Sequence, residues 1–169
     1  KTGTAGSETG CRNPGTKPAV TGIVRPGLIV SGIGQNQFDT KLLSAENFAA
    51  LGQAVELLGQ AQTVALPTET VYGLAADALS AEAVARIFKA KGRPANNPLI
   101  VHVDSIAMAR DCVSAWPSAA DRLASAFWPG PLSIVLPKVD SIPDIVTAGG
   151  GTVAVRCPAH PVMRDVLTR

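Results

Sequence analysis

Apolar residues recur along the chain with two periods, and their alternation sketches a fold. Phe48, Leu51, Val55 and Leu58 follow helical spacing behind Ser44, a suitable N-cap, and Gly59 is a fitting stop. Thr63-Val-Ala-Leu-Pro67 then reads as a short buried strand. Ser80 opens a second helix with Val84, Ile87 and Phe88 on its inner face, and Leu99-Ile-Val-His-Val103 makes the next strand. Ser105 and Ser118 open further helices that end near Cys112 and Phe127. Strands follow at Leu132–Leu136 and Thr152–Arg156, and Pro161 stands at the first position of a helix through Leu167. Strands alternating with helices predict an α/β fold with a mainly parallel or mixed sheet.

Residues 1–36 break this pattern. They hold eight of the sixteen glycines and read as a Gly/Pro-rich extension, loop-like or disordered. Ile23–Val24 and Leu28–Val30 are candidate short strands around an Arg25-Pro26-Gly27 turn. The α/β domain is therefore expected over residues 37–169. The chain stops at Arg169 inside or just after a helix, which predicts a domain incomplete at its C-terminus.

Composition narrows the function. The formal net charge of the 169 residues is +2. Residues 1–36 carry four cations against Glu8, a net of +3, so residues 37–169 net −1. That is no polybasic nucleic-acid tail. No apolar run approaches the ~18–20 residues of a membrane span, and no signal peptide opens the chain. A cytoplasmic protein is expected. The three cysteines are widely spaced and form no CxxC pair, so they read as small reduced hydrophobes, and no metal site is expected.

Three polar loops flank the strands. Pro67-Thr-Glu-Thr-Val-Tyr-Gly-Leu74 follows a strand, where open α/β sheets bind ligands. Its threonines suit either a small polar substrate or a turn that caps free amides. Lys89, Lys91 and Arg93 crowd a helix C-terminus, where cations complement the helix dipole. Gly92, Pro94 and Pro98 additionally make a stiff, closely approachable loop, which suits a triphosphate. Neither GxxxxGK[ST] nor GxGxxG occurs. Trp128-Pro-Gly-Pro-Leu-Ser133 enters one strand and Arg156-Cys-Pro-Ala-His160 leaves another. Arg156 suits a carboxylate ligand or a surface ion pair. His102 sits inside an apolar strand, where a satisfied core histidine is the commoner outcome, and His160 reads as a turn stabiliser.

Taken in order, PTETVYGL, KGRPANNPLIVHV, FWPGPLSIVLPK and TVAVRCPAHP resemble the YrdC-like threonylcarbamoyl-AMP synthase family over roughly residues 39–169. The resemblance implies a twisted mixed parallel/antiparallel sheet with flanking helices around a concave cavity. It implies a nucleotidyltransferase that joins L-threonine, bicarbonate and ATP, the last with Mg²⁺, into threonylcarbamoyl-adenylate and pyrophosphate. A tRNA-modifying transferase complex would use the product. By the same resemblance Lys91 and Arg93 are the catalytic triphosphate grip. Asn97, Ser133 and Thr152 are further ATP contacts, and Thr70, His102 and Arg156 are substrate contacts. The family's chain continues through a Ser-Ala-Asn segment and a Ser-Thr strand to a closing Arg-Pro-Gly. Ile23–Ile29 either resembles that closing segment displaced to the front, with Arg25 restoring part of the ATP site, or is a Gly-rich tail in which Arg-Pro-Gly falls by chance, the commoner outcome. A non-catalytic module of this fold that binds double-stranded RNA or tRNA is the alternative. The carbamoyl-transfer version found in hydrogenase-maturation proteins carries CxxC pairs, which this chain lacks.

Overall fold

The computed structural model describes residues 20–21, 42–44 and 47–169. Twelve elements follow one another in these residues. They are β1 (Val20–Thr21), α1 (Phe48–Gly59), β2 (Val64–Leu66), β3 (Gly73–Asp77), α2 (Ala81–Lys91) and β4 (Ile100–His102). Then come α3 (Ile106–Asp111), α4 (Ser118–Phe127), β5 (Ile134–Pro137), α5 (Asp144–Thr147), β6 (Thr152–Arg156) and α6 (Pro161–Thr168). The strands form one sheet in the order β2-β3-β1-β4-β6-β5. Only β4 and β6 pair in parallel; the other four described pairings are antiparallel. The sheet is thus mixed, and more antiparallel than the strand–helix alternation suggests.

Local sequence explains the helix ends. Ser80 and Ser105 cap α2 and α3 by accepting from the backbone N–H of Ala83 and Met108. Two expected caps fall elsewhere. Asn47, not Ser44, caps α1, its Oδ1 taking the Ala49 N–H at 2.9 Å. Ser118 is already the first helical residue of α4, behind Pro117. Gly92 ends α2 at φ +56, a left-handed conformation that costs a glycine little.

Side chains alternate across a strand, so cross-strand partners share a face. Val101, Val153, Val155 and Ile134 lie on one face, in the main core with α2, α3, α4 and α5. Ile100, His102, Ala154 and Arg156 lie on the other. Over that second face, Leu58 of α1 and Met163, Val166 and Leu167 of α6 close a smaller cluster on Leu66 and Ala75.

Three elements depart from the sequence reading, among them α5, a four-residue helix too short to show a period. β3 was hidden because Gly-Leu-Ala-Ala-Asp has none of the β-branched residues that mark a strand. β1 belongs to the Gly/Pro-rich extension, yet it pairs with β3 on one side and β4 on the other. The candidate strands at 23–24 and 28–30, and Arg25, lie outside the described residues. Cys112 and Cys157 are buried free thiols; burial and the nearby Asp111 charge push the Cys112 thiol up to about 11.

Candidate functional site

Register brings distant residues into one row. His102 at the end of β4 pairs with Arg156 at the end of β6. Ser133 stands one residue ahead of the Ile134–Val155 pair and so falls opposite Arg156. Residue 20 of β1 pairs with both His102 and Asp77, which extends the row to β3. The backbone is tied there as well, by the Val103 N–H on the Arg156 carbonyl at 2.9 Å and the Gly130 N–H on the Cys157 carbonyl at 2.8 Å.

Arg156 makes no surface ion pair. It is 5% exposed. Its guanidinium donates to Glu69 Oε1 at 2.6 Å, joining residues 87 apart in the chain. Burial pushes the Glu69 carboxyl up, but the Arg156 hydrogen bond and charge, with hydrogen bonds from the backbone N–H groups of Glu69 and Ala159, outweigh it and hold the group below its ordinary range. Arg156 Nε is buried without a partner. His102, 1% exposed, also has no partner on either ring nitrogen. Burial first, and then the Arg156 charge, push its pKa down to about 4, against a smaller opposing pull from Glu69. His102 is therefore a neutral imidazole beside a guanidinium–carboxylate pair. It is not the satisfied core histidine that its apolar strand suggests.

The loop that supplies Glu69 divides its two threonines. Thr68 Oγ1 donates to the Val71 carbonyl at 2.6 Å and accepts the backbone N–H of Thr70 and Val71. It is the capping residue of the turn. Thr70 is exposed, its hydroxyl 3.0 Å from Thr68 Oγ1.

The basic loop enters at the opposite end of β4. Lys91 Nζ is buried without a partner. Burial, and then the charge of Arg93, lower its pKa. An unpaired buried ammonium is costly, and an anion would relieve it. Arg93 is engaged by its own loop, donating to the Asn97 carbonyl, Asn97 Oδ1 and the Pro98 carbonyl at 2.8–3.2 Å. Thr152 begins β6, exposed, on the same face as Arg156 and about 13 Å along the strand from it. The sequence-predicted residues therefore fall into two groups. His102, Arg156 and Ser133 share one end of β4 and β6, while Lys91, Arg93 and Asn97 gather at the N-terminal end of β4. Thr152 stands at that second end on the neighbouring strand.

Glu69 was not among the predicted site residues. No local pattern shows which cation its carboxylate meets, because Arg156 lies 87 residues on. His160 does serve as a turn stabiliser, its Nδ1 accepting the Val162 N–H to cap α6. No group of three His, Cys, Asp or Glu among the described residues is placed to hold a metal ion.

A family model described as telomere recombination, that of the Sua5, YciO and YrdC proteins, matches residues 56–169. The chain belongs to the Sua5/YciO/YrdC family. A threonylcarbamoyl-AMP synthase of Pyrococcus abyssi is 51% identical over 109 residues, 64% of this chain and 32% of that one. One of Bacillus subtilis is 48% identical over 117 residues, 69% of this chain and 34% of that one. This chain thus spans about a third of the length of these Sua5/YciO/YrdC relatives. Among solved structures, P. abyssi Sua5 complexed with L-threonine aligns with a TM-score of 0.70 at 44% identity, over 76% of this chain and 37% of that one. Escherichia coli YciO aligns with a TM-score of 0.64 at 20% identity, over 71% of this chain and 58% of that one, which shows the shared fold. No helix of the described residues is long and apolar enough to cross a membrane.

Proposed function

We propose that this chain forms threonylcarbamoyl-AMP from L-threonine, bicarbonate and ATP in the cytoplasm, for transfer to tRNA by a partner enzyme. The observation that carries this reading is the row of His102 and Arg156 with Glu69 across it. It is a polar cradle of two buried groups, His102 and Arg156, faced by the partly exposed Glu69, with open hydrogen-bonding groups, in a chain whose relatives carry that enzyme name. The relative solved with L-threonine supports assigning the cradle to the amino acid.

In this reading Arg156 holds the threonine carboxylate and His102 and Thr70 surround it; Ser133, which the resemblance made an ATP contact, is assigned to this end instead, because the β5–β6 register extended by one residue sets it opposite Arg156. The amine attacks bicarbonate and water leaves, giving a carbamate. A carbamate oxygen then attacks the α-phosphorus of ATP, the α–β phosphoanhydride breaks, and pyrophosphate departs. Lys91 and Arg93 neutralise the triphosphate, with Asn97 and Thr152 beside the nucleotide. Positioning and charge neutralisation supply most of such a rate. Magnesium would enter with ATP as part of the substrate, held mainly by phosphate oxygens and water. The alternative of a module that only binds RNA has less support, because residues 37–169 net −1.

Lys91→Met tests the phosphate role. Lys91 Nζ has no partner to lose, so the variant keeps the fold and leaves the melting midpoint unchanged or higher. Pyrophosphate release with all three substrates should fall about 10²–10³-fold. An undiminished rate would remove Lys91 from the site.

A further inference from the structure

Resting on the amino-acid assignment above, we propose that Glu69 is the specificity residue of the cradle and restricts it to ligands carrying both an α-carboxylate and an α-ammonium. Arg156 takes the carboxylate and Glu69 takes the ammonium. The guanidinium meets only one oxygen of Glu69, through one of its terminal nitrogens, and its Nε is buried and unbonded. The Glu69 carboxylate also accepts from the backbone N–H groups of Glu69 and Ala159, and its remaining lone pairs, like the unbonded guanidinium Nε, keep capacity for a ligand. The Glu69 side chain is 21% exposed and that of Arg156 is 6% exposed, so the pair is shielded but reachable.

Charge bookkeeping gives the selectivity. The charges acting on His102 are the cationic Arg156 and the anionic Glu69, which sum to zero around the neutral imidazole. A zwitterion preserves that zero. A ligand with a carboxylate alone leaves an uncompensated negative charge beside Glu69, and one with an ammonium alone leaves a positive charge beside Arg156. Uncompensated charge in a shielded site is disfavoured. His102 adds an uncharged donor and acceptor that bias neither sign. Glu69 remains a carboxylate throughout; it positions the amine and is not the base that deprotonates it.

The test is calorimetric binding to the full chain. The ligands are L-threonine, its hydroxy-acid analogue with a hydroxyl in place of the ammonium, and its amide, which lacks the carboxylate. Wild type should bind threonine about tenfold or more tighter than either analogue. In Glu69→Gln, which keeps the size and an acceptor oxygen, threonine should weaken about tenfold while the hydroxy acid holds or tightens, so their ratio approaches one. Equal weakening of both ligands would make Glu69 merely a support for Arg156. Equal tightening would make it a placeholder that ligands displace. Either result overturns the proposal. If Glu69→Gln does not fold, the wild-type comparison still decides, since a hydroxy acid bound as tightly as threonine overturns it. Wild type binding none of the three would instead overturn the amino-acid assignment itself, and the proposal with it.

Discussion

His102 is the residue whose setting departs furthest from that of an ordinary side chain, and it leaves a signature in stability. Its pKa is about 4 in the folded chain, against the ordinary 6.5 of an exposed histidine. Between those values the unfolded chain binds a proton that the folded chain does not. Stability is therefore untouched above about pH 6.5 and is lost as pH falls toward 4, by about 1.4 kcal/mol per unit and roughly 3 kcal/mol in all. Glu69, with a lowered pKa, contributes in the same direction but only below the ordinary 4.5 of a glutamate. The two windows are separable. Denaturant melts between pH 7 and 5 should fall steeply for wild type and much less for His102→Asn. Equal slopes would show that the imidazole titrates normally. The histidine was visible in the sequence as a candidate, from a motif that resembles a family. Its partnerless burial was not visible, because it depends on a β6 arginine and a β2–β3 loop far away in the chain.

At the scale of elements, sequence signals were readable wherever a local interaction decides the structure. Ser80 and Ser105 cap because a hydroxyl meets an amide three residues on. The apolar positions of α2 and α6 face inward because a helix buries one stripe. Ser44 misled because Asn47 stands nearer the helix and also accepts an amide. β1 was unreadable, since two residues in a Gly/Pro-rich stretch carry no period. It is defined by its partners, lying between β3 and β4 with Thr21 opposite Ala76 and Val101. A central strand does not tolerate proline, which removes a ladder donor. Thr21→Pro should therefore cost about 2 kcal/mol or more in a melting experiment. An unchanged midpoint would mean that β1 is no part of the cooperatively folded sheet.

Across the whole molecule, the α/β class and the family were legible in four co-linear motifs, and the matched residues 56–169 contain all four. The pairing directions were not legible, because alternation of strands and helices does not specify which strand neighbours which. That arrangement matters to function. It sets Arg156 beside His102 in parallel register and brings the basic loop to the other end of β4. The end proposed to hold the carboxylate and the end proposed to hold the phosphates thus lie at opposite ends of β4 and β6. This layout suits a reaction that joins an amino acid, through one carbon from bicarbonate, to the α-phosphate of ATP. The most direct measurement supplies the chain with L-threonine, ATP and ¹³C-bicarbonate and reads the products by mass spectrometry. The expected product is one adenylate that contains threonine and carries the label, with pyrophosphate formed in equal amount and none when any substrate is omitted. Pyrophosphate released without bicarbonate, or an adenylate free of the label, would contradict it.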